Sequence, residues 1–216
     1  MLTAPVVLLT GFEPFGGETA NASERAVQAL HGAALADHRV VGALLPVTFG
    51  DAVGALERLI HRYRPALVVA TGQAGGRAAL SLERVAINVD DARIADNAGR
   101  QPIDHPVVAG GPAAYFSTLP IKAMHAELIR KGFAAEVSQT AGTFVCNHAF
   151  YGLMHLLATD PTLAGVRGGF IHLPWLPAQG HPSLPLESTV GGLALAIRTA
   201  LEHVGPDLQM GAGATH

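Results

Sequence analysis

Two short apolar runs, Val6-Val7-Leu8-Leu9 and Ala66-Leu67-Val68-Val69-Ala70, are each stopped by a Thr-Gly pair, and they constrain the fold of this chain most strongly. A strand with one face in water alternates apolar and polar residues, whereas a run that is apolar at every position must be covered on both faces. Strands of that kind belong to parallel sheets, whose crossover helices supply the two covers. The intervening chain provides such helices. Asn21 to Leu30 opens on a capping residue and sets Ala26, Val27 and Leu30 at helical spacing. Val40 to Val47 reads as a strand, and Phe49 to Tyr63 as a helix with Val53, Leu56, Leu59 and Ile60 on one stripe. Further strands are predicted at Leu80 to Val89, Ala134 to Ser138 and Gly169 to Leu173, and further helices at Ile121 to Lys131, Phe144 to Leu157 and Leu186 to Val204. Ile94 to Tyr115 carries three prolines and a glycine pair and is expected to be loop-rich. The fold class is therefore α/β: an α/β/α sandwich on a mostly parallel, twisted sheet. Met1 to Thr10 is taken as the segment holding the first strand, and residues 206–216, rich in Gly and Ala, as a flexible tail.

No linker, charge run or internal repeat divides the 216 residues, so residues 1–216 are expected to form one domain. Hydrophobic residues make up 49% of the chain and charged residues 14%, ample for a core covered on two sides. The net charge is −3 and the cations are scattered, so neither a nucleic acid nor an anionic membrane surface is an expected partner. No apolar run approaches the roughly 18 residues that span a bilayer. The single cysteine, Cys146, cannot form an internal disulfide, and a free thiol persists best in a reducing compartment. A cytoplasmic protein is the expectation. His148 and His155 are seven residues apart, and the HExxH and CxxC patterns are missing, so no metal site is expected.

In a parallel sheet the loops after the strand ends share one edge, and four of them hold unusual residues: 11–17, 72–77, 141–147 and 172–179. Cys146 follows the small-residue turn Ala141-Gly142-Thr143 at a predicted helix start. Free N–H groups there favour thiolate over thiol, which suits a nucleophile; a small buried hydrophobe is the plain alternative. His172 ends a predicted strand, within reach of Cys146 as its base or as a structural histidine. Glu83 is an acid in an otherwise apolar strand, suited to orient the imidazole, or else a solvated residue paired with Arg84. Gly72-Gln73-Ala74-Gly75-Gly76 lacks the Lys-Ser/Thr of a phosphate loop and fits a neutral ligand held by backbone N–H groups.

Seven runs, in order, closely resemble the pyroglutamyl-peptidase I (pyrrolidone-carboxylate peptidase) family of cysteine peptidases. They are Leu8-Leu9-Thr10-Gly11-Phe12-Glu13-Pro14-Phe15-Gly16-Gly17, Gly72-Gln73-Ala74-Gly75-Gly76-Arg77, Glu83-Arg84-Val85-Ala86-Ile87-Asn88, Ala92-Arg93-Ile94-Ala95-Asp96-Asn97, Gly110-Gly111-Pro112-Ala113-Ala114-Tyr115, Ala141-Gly142-Thr143-Phe144-Val145-Cys146-Asn147 and Gly169-Phe170-Ile171-His172-Leu173-Pro174. The resemblance implies a cytoplasmic, commonly homotetrameric peptidase that uses no metal or organic cofactor. It implies removal of an N-terminal pyroglutamyl residue from peptides and proteins through a thioester acyl-enzyme. Carried over by motif, Cys146 is the nucleophile, His172 the base and acid, and Glu83 the orienting group. A flat, uncharged lactam needs apolar walls with a few donors and acceptors. Phe12, Phe15, Ile94, Phe144 and Val145 are expected as walls, backbone groups near Gln73 as lactam partners, and the Cys146 N–H with the Arg93 side chain as oxyanion donors. Two rival readings stand beside this one: a small-molecule-binding protein on the same fold without turnover, and a phosphorylase or other hydrolase of a related α/β sandwich.

Overall fold

The computed structural model describes residues 4–213. Residues 1–3 of the segment expected to hold the first strand, and residues 214–216 of the expected tail, lie outside the described residues. In chain order the elements are β1 (Val6–Phe12), α1 (Ala22–Leu30), β2 (Ala34–Leu35), β3 (His38–Leu45), α2 (Asp51–Tyr63), β4 (Leu67–Gln73), β5 (Leu80–Glu83), β6 (Val85–Ile87), β7 (Ala114–Phe116), α3 (Ile121–Arg130), β8 (Ala135–Ser138), α4 (Val145–Thr159), β9 (Arg167–Leu173) and α5 (Leu186–Glu202). Seven strands form one sheet in the order β2-β3-β1-β4-β9-β5-β8. Helices α1, α3 and α5 pack on one face and α2 and α4 on the other.

The two unbroken apolar runs occupy the middle of this sheet because alternate residues of one strand enter different cores. Val7 and Leu9 of β1 and Leu67 and Val69 of β4 face α1, α3 and α5, whereas Leu8, Val68 and Ala70 face α2 and α4. All of them are completely buried. Each large side chain so buried contributes roughly 1.5–3 kcal/mol. The capped start of α1 forms as expected: the Asn21 side chain accepts from the Ser23 N–H at 2.9 Å and from its hydroxyl at 2.7 Å.

The sheet is mostly parallel, with β1 pairing β3 and β4, β4 pairing β9, and β5 pairing β8 in that sense. It departs at two places, where β2 joins β3 and β5 joins β9 antiparallel. Strands β5 and β8 therefore run against β4 and β9, which corrects the expectation that all four loops leave one edge. The chain after β8 instead crosses back over the sheet before α4 begins.

The predicted strand Leu80 to Val89 is also two strands. Arg84 turns its charge out to the Gln139 side chain and the Ala212 carbonyl, at 2.9 and 2.7 Å. Beyond it, β6 leaves the sheet and pairs with β7, a short strand at the end of the stretch expected to be loop. The Asn147 side chain completes the ribbon, accepting from the Ile87 N–H and donating to the Ile87 and Val89 carbonyls. In the segment expected as a flexible tail, Asp207 accepts from the Lys122 and Ala123 N–H groups at 2.9 and 3.0 Å. It caps α3, whose own capping position is Pro120 and offers no side-chain acceptor.

Candidate active site

Cys146 is the second residue of α4, entered from Phe144 in extended conformation after Gly142 has turned the chain with φ of +78°. The helix start lies on β4 at Gly72, a position that tolerates no side chain. A Cβ there would sit 2.6 Å from the Cys146 Sγ and 2.9 Å from the Phe170 ring. Gly72 is the ladder partner of His172 in β9. Because Phe170 faces α4, His172, two residues on, faces it too. The close approach of helix to strand thus brings the thiol to the strand beside the imidazole. Cys146 is half-buried, and among the described residues its thiol has no hydrogen-bond partner. Burial first, and then the charge of Glu83, push the thiol up to about 12, while Arg77 pulls the other way. Burial here outweighs the expected pull of the helix N–H groups toward thiolate.

The imidazole is held from below. His172 Nδ1 donates to Glu83 Oε1 at 2.7 Å, which leaves Nε2 with its lone pair. The His172 ring leans on Phe170 with centroids 4.8 Å apart. Leu80 and Leu82 of β5 enter the α1/α3/α5 core, so Glu83 projects to the α4 side of the sheet, where it is completely buried. Its cation is Arg77 and not Arg84. One Arg77 nitrogen lies 2.6 Å from Glu83 Oε1, and the other donates to the Thr140 carbonyl at 3.0 Å. Arg77 is a site residue that the sequence reading missed. The signal was present: a buried acid needs a cation, and the Gly-rich loop ends on one.

Beside the thiol lies a small apolar pocket lined by Phe12, Phe15, Asn21, Val47, Gln73, Phe144, Val145 and Cys146. Phe144 stands between Phe15 and Phe49, with ring centroids 6.0 and 5.4 Å away. The Gln73 side-chain oxygen accepts from the Ala22 N–H at 2.7 Å and so fixes the pocket wall to the start of α1. A cysteine, an acid-supported imidazole and an apolar pocket at one sheet edge are the parts that acyl transfer requires.

The sequence model of the family described as pyroglutamyl peptidase matches residues 6–203. The chain belongs to this family. It is 61% identical over 202 residues to a pyrrolidone-carboxylate peptidase of Cupriavidus taiwanensis, covering 91% of this chain and 93% of that one. It is 56% identical over 217 residues to pyrrolidone-carboxylate peptidase 1 of Ralstonia nicotianae, covering 98% and 100%. Among solved structures, pyroglutamyl peptidase I from Bacillus amyloliquefaciens matches with a TM-score of 0.93 at 45% identity, covering 97% of this chain and all of that one. The family membership and the α/β fold expected from the seven runs are both met.

Within this member of the family, Phe12, Phe15, Gln73, Phe144 and Val145 meet at the pocket with Cys146. Arg93 and Ile94 do not line it. They are exposed along an outer groove that also holds Trp175 and His181 and joins the pocket through Phe15 and Gln73. Asn21, legible in the sequence only as the cap of α1, also lines the pocket, and Trp175 of the groove went unnoticed because nothing in its local sequence marks it. His148 serves structure: Nδ1 donates to Asp90 at 2.8 Å and Nε2 accepts from the Gly50 N–H at 2.8 Å. Among the described residues no group of three His, Cys, Asp or Glu is placed to hold a metal ion, and no helix is long and apolar enough to cross a membrane.

Proposed function

We propose that this chain is a cysteine peptidase that hydrolyses the N-terminal pyroglutamyl residue from peptides and proteins, with Cys146, His172 and Glu83 as its catalytic triad. The observation that carries the proposal is the meeting of the Cys146 thiol, the Glu83-bound His172 and the apolar pocket at one sheet edge. With the thiol pushed up to about 12, the resting site holds the neutral thiol, and His172 Nε2 takes its proton as Sγ attacks the carbonyl beyond the lactam. The tetrahedral oxygen is met by the Cys146 N–H, with the Arg93 side chain reaching in from the outer groove. His172 then protonates the departing amine, leaving a thioester. Water, activated by the same imidazole, releases pyroglutamate and restores the thiol. Glu83 keeps the imidazole turned and stabilises its cation at both steps.

Pyroglutamate has no ammonium group, which agrees with a pocket that offers aromatic walls and no carboxylate. A lactam group left unpaired there costs about 1–3 kcal/mol, a source of preference over proline. On family grounds the working form is a cytoplasmic homotetramer without metal or organic cofactor. The test is fluorophore release from pyroglutamyl-aminomethylcoumarin under reducing conditions, with a prolyl analogue and Cys146→Ser as controls. Release confined to wild type and the lactam substrate is expected. Full activity in Cys146→Ser, or a folded and reduced wild type without turnover, would overturn the proposal.

A further inference from the structure

We propose that Arg77 is a positioning residue of this reaction: it faces the buried Glu83 carboxylate, holds it in place, and ties it to the chain leading into Cys146. The inference rests on the cysteine-peptidase reading above. Its geometry is specific. The Glu83 Oε1 that receives the His172 Nδ1–H at 2.7 Å is also the oxygen facing Arg77 at 2.6 Å. The other carboxylate oxygen is buried and has no partner among the described residues. The same guanidinium donates to the Thr140 carbonyl at 3.0 Å and approaches the Ser138 hydroxyl at 3.4 Å. Thr140 belongs to the crossing segment between β8 and α4, so one planar group spans the acid and the approach to the nucleophile. A lysine, a single point charge on a flexible stem, cannot reproduce that span.

A fully buried carboxylate gives up its charge unless a cation faces it. The groups that meet Glu83 can be named element by element. From β9 comes His172, whose Nδ1 donates to it; from α4 comes Cys146, whose thiolate would repel it. From β8 comes the neutral Ser138, and Glu136 of that strand takes the Ser81 hydroxyl at 2.6 Å. Arg84, next in sequence, is engaged with Gln139 and Ala212. Among the described residues Arg77 is the permanent cation paired with Glu83, and its side chain remains 24% exposed while Glu83 is fully covered. Without Arg77, the buried Glu83 carboxylate has no permanent cation facing it and is no longer held against His172. Arg77 also favours the Cys146 thiolate, against burial and Glu83.

The test compares wild type, Arg77→Met and Arg77→Lys in two assays across acid and alkaline pH: turnover of pyroglutamyl-aminomethylcoumarin and alkylation of Cys146 by iodoacetamide. Arg77→Met is expected to lower kcat by about 100-fold with KM nearly unchanged. The acidic limb of its kcat/KM profile should move, and alkylation at neutral pH should slow, because Arg77 favours the Cys146 thiolate. Arg77→Lys should return the limb toward the wild-type position, with kcat still reduced for want of the fork. An unchanged limb and unchanged alkylation in Arg77→Met overturn the proposal even if kcat falls, because that pattern marks a merely structural residue. Should Arg77→Met fail to fold, the kcat and limb of Arg77→Lys decide. If wild type itself shows no turnover, the peptidase reading fails, and the alkylation profiles alone decide whether Arg77 tunes the thiol.

Discussion

Gly72 is where the smallest possible change should have the largest effect on chemistry. A methyl at this position would lie 2.6 Å from the Cys146 Sγ, whereas ordinary contact begins at 3.4 Å, so the two must separate by about 0.8 Å. The Phe170 ring, 2.9 Å from the same methyl, blocks retreat in its own direction. Phe170 is completely buried and has no room to yield, so the thiol moves. It does so by rotating away from the strand that neighbours His172. Displacement of a reacting atom by about 1 Å costs on the order of 100-fold in rate, or about 2.7 kcal/mol of barrier. Overpacking should cost stability as well, about 1–3 kcal/mol. Steady-state kinetics of Gly72→Ala on the fluorogenic substrate, beside a denaturant melt, separate the two effects. The expected result is kcat/KM down by about 100-fold in a protein that still melts cooperatively. A folded Gly72→Ala with kcat/KM within a few-fold of wild type would refute the idea that helix and strand are in contact here for the sake of the sulfur.

Other consequences can be checked in the same way. Glu83→Gln keeps the shape of the side chain but removes the charge that holds His172, and kcat should fall by about 100- to 10,000-fold at nearly constant KM. Asp207→Ala removes the borrowed cap of α3 and should cost about 0.5–2 kcal/mol in a thermal or urea melt while leaving kcat unchanged. The thiol carries a pH signature in stability. Its value rises from 9.0 unfolded to about 12 folded, so its contribution is complete below pH 9 and is lost as pH climbs toward 12. Between pH 8 and pH 11 wild type should therefore lose more stability than Cys146→Ser, and equal losses would contradict the burial that sets this shift.

The parallel body and its best caps were legible because they are governed by local rules. Val7 and Leu8 say in adjacent positions that β1 has two covers, and Asn21 announces the start of α1 two residues before it caps Ser23. Cys146, His172 and Glu83 stood out because each is chemically odd where it stands. The reversed direction of β5 and β8 was hidden, because the alternation of a four-residue strand carries no sense of direction. The break at Arg84 leaves only a slight trace, a slip in the alternation from Leu80 and Leu82 to Val85, Ile87 and Val89, and the partner that replaces the ladder, Asn147, lies 60 residues beyond Ile87. Arg93 and Ile94 share a motif with the site but sit in the outer groove, a distinction that requires the course of loop 91–97 in space. Arg77 was hidden for a simpler reason: Arg84 is adjacent to Glu83 in sequence, but the cation that reaches the carboxylate comes from the loop before β5.

One feature of the pocket bears on how the protein breathes. Gln73 lines the cavity and also closes the first turn of α1, while the Ser23 hydroxyl of that helix accepts from the Phe12 N–H at the cavity's other wall. Neither wall can open without uncoupling a helix from the central strands. Hydrogen exchange at Phe12 and Ala22 should accordingly be as slow as in the middle of β1 and β4, as a single cooperative unit. A cavity built this way is rigid before any peptide arrives, so the site greets its ligand as a fixed mould and leaves adaptation to the exposed loops outside it.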